Sequence, residues 1–161
     1  MTAQGNYTLR FDLWDVDDKF YQVDYADFKV GDEESLYRLE VGQYSGNLSD
    51  SLENHNHMQF STHDADHDAS STHCALYYRG GWWYSHCQYV NVNGQYHTGL
   101  TWYNHHEKQW VQLKKIQMKL GHQAPHHPLP NSTEDLLEDI EEGSSDMSDN
   151  ENNTTEDYEL P

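Results

Sequence analysis

The chain has 161 residues, 35% of them hydrophobic, and a formal charge of −19 with a pI near 4.7. That charge argues against nucleic acid and anionic membrane as partners, since both are held by basic surfaces. No apolar run approaches the ~18–20 residues of a membrane span. Residues 1–120 carry sixteen acids against nine bases, whereas residues 121–161 carry twelve acids and no Lys or Arg. The expected organisation is one domain over 1–120 and an acidic, disordered tail over 121–161. The opening MTAQGNYT has no apolar stretch of a signal peptide.

In chain order, residues 7–14 (YTLRFDLW) alternate Tyr, Leu, Phe and Leu against Thr, Arg, Asp and Trp, which predicts a half-buried strand. After an acidic turn, residues 19–30 form a β-rich segment with Phe20, Val23, Tyr25 and Phe28 as its apolar set. Residues 31–35 predict a turn, 36–41 (LYRLEV) a strand, 44–46 the start of a loop and 49–53 one helical turn. From His55 to Thr72 there is little periodicity; such a long irregular stretch in a small domain is usually functional or disordered. Asn93-Gly94 signals a turn, and 99–103 and 109–120 predict strands. The last has Val111, Leu113, Ile116, Met118 and Leu120 as its apolar set, with a register slip between Leu113 and Ile116 that calls for a bulge or a bend. Residues 132–142 carry a short helical pattern. Trp82, Trp83, Trp102 and Trp110 are assigned to the core.

Chemistry concentrates in residues 60–87, FSTHDADHDASSTHCALYYRGGWWYSHC. Asp64, Asp66 and Asp68 resemble the start of an EF-hand loop. However, the sixth position is Ala69 instead of Gly and the twelfth is Ala75 instead of Glu, so an EF-hand is rejected. Alternating carboxylates still suit a hard cation. His63, His67 and His73 interleave with them and would suit Zn²⁺ or Cu²⁺ instead; a solvated acidic loop is the plain alternative. Cys74 and Cys87, the only cysteines, are open to a disulfide, a free pair or a metal site. Sequons at Asn6, Asn47, Asn131, Asn152 and Asn153 suit a secreted protein. No nucleophile elbow, phosphate loop or HExxH motif is present, and no enzyme is expected.

The ordered string YRLEVGQYSG, DSL, FSTHDADHD, CALYYRGGWWYSHC, NVNGQY and MKL resembles the fibrinogen-related domain over residues 5–120, nearest to its tenascin-like members. The resemblance implies an α+β, fibrinogen C-terminal-like fold of short antiparallel strands and long loops. The family's N-terminal subdomain has no counterpart here, so strand 7–14 is expected to lose neighbours. The resemblance also implies a Cys74–Cys87 disulfide and a cis peptide before Cys87. It places Ca²⁺ on the carboxylates of Asp66 and Asp68 and the carbonyls of Ser70 and Thr72, with Asp64 only a neighbour. The acetyl-group pocket of ficolin-like members maps to Tyr78, His86, Cys87 and Gln88. Gln88 stands where the family pattern has His, and His97-Thr98-Gly99 replaces a longer loop that supplies a wall.

The implied function is a secreted recognition module whose Ca²⁺-supported site takes glycans, acetylated groups or extracellular proteins. The alternatives are a tenascin-like matrix or signalling interaction domain, or a truncated, non-binding product. Oligomerisation would come from regions absent here.

Overall fold

A computed structural model describes residues 5–96 and 99–122. The first two residues of the expected tail, Gly121 and His122, end the last strand; residues 123–161, including the short helical pattern over 132–142, lie outside the described residues, as do His97 and Thr98 and the sequons at Asn131, Asn152 and Asn153.

Strands β1 (Tyr7–Asp15) and β2 (Phe20–Val30) form a hairpin. The Asp15 carboxylate accepts the backbone N–H groups of Asp17 and Lys19 (3.0 and 2.9 Å) and so shapes the turn between them. β3 (Leu39–Gly46), β4 (Val90–Asn91), β5 (Thr101–Asn104) and β6 (Gln109–His122) complete a six-stranded sheet in the order β3-β2-β1-β6-β5-β4. Every strand pair is antiparallel.

β1 lies inside the sheet, paired to β2 on one side and β6 on the other. The expected loss of its neighbours is therefore corrected: residues 109–122 return from the far end of the domain to flank it. The edge strand β3 is closed in part by Asn56. Its side chain accepts the Val41 N–H and donates to the Val41 carbonyl, both at 3.0 Å, in place of a neighbouring strand.

Alternation decides the burial in β1. Leu9, Phe11 and Leu13 face the core with Val23 and Tyr25 of β2, and Phe11 meets Trp102 at 5.4 Å in an edge-to-face contact. The opposite face carries Arg10, bidentate on Asp24, and Asp12 paired with Lys119. The expected bulge is present: Trp14 opposes Lys115 while Asp15 opposes Leu113, which leaves Lys114 as the extra residue.

Four expectations require correction. Residues 36–38 are not strand. Leu36 and Tyr37 adopt left-handed backbone angles (φ 55° and 56°), held there because their carbonyls accept the Phe60 N–H and the Trp83 indole N–H. Residues 44–46 continue β3 and begin no loop. Met118 and Leu120 are 46% and 53% exposed although they oppose Phe11 and Leu9. Trp110 is 49% exposed, because in the β5–β6 hairpin it opposes Tyr103 on the outer face while Trp102 and Val111 point inward.

The α+β class is likewise too rich in helix. Among the described residues, helix amounts to the five residues of α1 (Cys74–Tyr78) and a 3-10 turn at Leu52–His55. The intervening segments lack an apolar repeat long enough to stabilise a longer helix.

Candidate functional site

Residues 60–73 build a loop whose backbone is satisfied partly by other backbone groups and partly by side chains. Ser61, fully buried, exchanges backbone hydrogen bonds with Trp82 (2.9 and 3.1 Å) and accepts the His67 N–H on its hydroxyl. His67 Nδ1 donates to the Phe60 carbonyl (2.8 Å) and His73 Nε2 to the Thr62 carbonyl (2.9 Å). Two of the three interleaved histidines thus close the loop. Among the described residues, no three His, Cys, Asp or Glu side chains converge as metal ligands.

Asp64 is exposed. Its carboxylate accepts the Thr62 hydroxyl (2.7 Å), which with His63 nearby holds its pKa below the usual range. Asp68 is half-buried, its two oxygens accepting the backbone N–H groups of Ser70 (2.8 Å) and Cys74 (2.9 Å). The second bond caps the start of α1. Asp66 is exposed and accepts the Asp68 N–H at 3.3 Å. Burial raises the Asp68 pKa, and the neighbouring Asp66 carboxylate raises it further, against the two backbone donors. Two like charges share this stretch, and neither is in an ion pair among the described residues. Ser70 also accepts the Thr72 N–H on its hydroxyl.

The disulfide Cys74–Cys87 is present, with Cα atoms 5.2 Å apart. It ties α1 to the segment after Tyr84. The expected cis peptide before Cys87 is absent, as is any other cis peptide among the described residues. The backbone reverses instead through a left-handed Cys87 (φ 51°), with the Ser85 N–H donating to the Cys87 carbonyl.

The expected pocket residues differ in burial. Tyr78 is half-buried and stacks on Tyr84 at 6.1 Å, with Tyr77 against its edge. His86 is exposed. The Gln88 side-chain oxygen is enclosed without a hydrogen-bond partner, and so is the indole N–H of buried Trp82.

One organising residue escapes sequence reasoning. His55 is fully buried and donates from Nδ1 to the Trp83 carbonyl (2.8 Å). Its Nε2 accepts the N–H groups of both Tyr89 and Val90 at 3.1 Å. Two donors at Nε2 fix the neutral tautomer, and burial lowers the pKa to about 4. The ring clamps the backbone just before and just after Cys87. No periodicity marks it, and nothing in the residues around it announces the distant segments that it joins.

A family model for the C-terminal globular domain of fibrinogen β and γ chains matches residues 1–123. The protein scabrous of Drosophila melanogaster is 43% identical over 118 residues, which cover 73% of this chain and 15% of scabrous. The fibrinogen-like globe domain of human ANGPTL6 superposes with a TM-score of 0.70 at 35% identity, covering 76% of this chain and 60% of that one. Lamprey fibrin D-dimer, solved with the peptide Gly-His-Arg-Pro-amide, superposes with a TM-score of 0.68 at 27% identity, covering 82% and 51%. The chain thus spans less than two thirds of each of these relatives.

Proposed function

Since the protein belongs to the family of C-terminal globular domains found in fibrinogen β and γ, we propose that it is an extracellular recognition domain with a Ca²⁺-supported ligand site. The ligands of Ca²⁺ are the carboxylates of Asp66 and Asp68 and the carbonyls of Ser70 and Thr72. The ion would neutralise the two carboxylates and stiffen the loop that leads into α1 and the disulfide. The observation that carries this reading is the Asp66–Asp68 pair: two neighbouring carboxylates, neither in an ion pair among the described residues, one of them raised in pKa by burial and by the other. The disulfide fits an oxidising, extracellular setting.

The recognition surface lies around Tyr78, His86, Cys87 and Gln88 and takes glycans, acetylated groups or a protein ligand. A tenascin-like, protein-binding role is favoured by one feature. Gln88 replaces the family pattern's His and leaves an amide oxygen unpaired.

Extracellular calcium modules bind at about 10⁻⁴–10⁻³ M. At tenfold excess the ion stabilises by about 1.4 kcal/mol. Thermal melting is expected to rise with millimolar Ca²⁺ and to lose that rise in Asp66→Ala. Equal melting with and without Ca²⁺ would refute the metal site. Immobilised N-acetylglucosamine is expected to bind weakly or not at all; strong binding that needs Tyr78 would decide for the acetyl-group reading.

A further inference from the structure

We infer a second binding surface, distinct from the loop site: an exposed aromatic platform of Tyr89, Tyr103, His105 and Trp110 that receives a basic, arginine-bearing segment of a protein partner. Tyr103 opposes Trp110 across the β5–β6 hairpin, with ring centroids 5.0 Å apart. Tyr89 lies nearly parallel to Trp110, at 6.3 Å and 18°, and His105 meets both Tyr89 (5.3 Å) and Tyr103 (4.9 Å).

The backbone beneath is held in place. The Tyr103 N–H donates to the Tyr89 carbonyl at 2.8 Å, and the Tyr103 carbonyl accepts the hydroxyls of Ser49 and Ser51. Three exposed rings and the half-buried Tyr103 are therefore held in a fixed arrangement, with Trp110 49% and Tyr89 38% exposed. A contiguous exposed aromatic patch is the composition of a binding surface.

Charge decides the occupant. His105 also lines an open depression with Asp50, Glu53 and Asn54. Neither Asp50 nor Glu53 is in an ion pair among the described residues. Aromatic faces carry negative quadrupole density and attract guanidinium, Trp most strongly. Carboxylates beside them add Coulombic attraction and the bidentate geometry that Arg prefers.

The test is anisotropy of a labelled Gly-Arg-Gly-Arg-Gly peptide with the full chain, beside its citrulline counterpart, which keeps the shape and loses the charge. The Arg peptide is expected to bind at least tenfold tighter than the citrulline peptide. Trp110→Ala and Tyr89→Ala are each expected to weaken it about tenfold, as central aromatic anchors do. Glu53→Gln is expected to weaken it severalfold at low salt and little at high salt. Asp17→Asn, an equal loss of charge in the β1–β2 turn, and removal of Ca²⁺ by a chelator should leave it unchanged. Failure of the calcium site is thereby kept apart from failure of this one. Equal binding of the two peptides would overturn the proposal. So would Arg-peptide binding that persists in both aromatic variants, or Trp110-dependent binding of a neutral oligosaccharide without binding of the peptide.

Discussion

The sheet and the loop-built half of this domain are held together by different physics. In β1, β2 and β6 the backbone is satisfied by long ladders, and stability comes from one apolar face closed over Phe11, Leu13, Val23 and Tyr25. In residues 49–88 ladders are short, and side chains take a larger share in satisfying backbone groups: Asp68 on Ser70 and Cys74, Asn56 on Val41, His55 on Trp83, Tyr89 and Val90. A disulfide then closes what burial alone does not. The difference teaches where each half is vulnerable. The core of the sheet is sensitive to volume, whereas the loops depend on the protonation state and geometry of single polar groups.

The largest expected effect tests the first half of that statement. Phe11→Ala should destabilise by about 3–5 kcal/mol, because a fully buried ring is lost beside Trp102 and Tyr25. Urea denaturation should show the midpoint falling with the slope unchanged. A loss below about 1 kcal/mol would mean that the sheet is not the volume-sensitive half.

Next comes the pH response of the loops. The folded His55 binds a proton only at about 4, below the ordinary value of 6.5. Its contribution is therefore complete above pH 6.5 and is lost as pH falls from 6.5 through 4. A shift of this size corresponds to about 3 kcal/mol. Carboxylates titrate in the same range, so the measurement is a difference: the stability of the wild type should fall more steeply between pH 6.5 and 4 than that of His55→Gln. Parallel curves would remove the histidine clamp from the account.

The smallest effect belongs to the outer face of the sheet. Arg10 reaches Asp24 at 2.6 and 3.2 Å but is largely exposed. Arg10→Ala should cost about 0.2–1 kcal/mol in denaturation experiments, and less in high salt.

Much of the sheet was legible in the sequence, because a strand with one buried face repeats every second residue. Residues 7–14 show it directly; over 19–30 the period is imperfect, and Phe20, placed in the apolar set, is 43% exposed while Tyr21 takes the core face. The slip between Leu113 and Ile116 pointed to an irregularity there, which is the bulge at Lys114. The limits of this reading are equally specific. Alternation says which residues share a face, not whether that face is covered: Met118 and Leu120 share the core face yet stay exposed, and Trp110 was assigned inward on hydrophobicity alone. The turn at Leu36–Tyr37 carries no glycine to announce its left-handed backbone.

The aspartates, the cysteine pair and the tyrosines of the candidate site were visible as residue types, and the resemblance supplied the disulfide. Its cis peptide was not found, since left-handed Cys87 makes the reversal here.

From the sequence by itself come the charge that disfavours nucleic acid, the alternating faces of the strand over 7–14 and, through the resemblance, the disulfide and the family. Each depends on residue type and local spacing, which a linear string preserves. The tertiary structure alone decided that β1 is flanked on both sides, that His55 clamps both sides of Cys87, and that Tyr89, Tyr103, His105 and Trp110 form one exposed surface. Those outcomes depend on which distant segments meet, and residues as far apart as His55 and Val90 share no local pattern that could announce it.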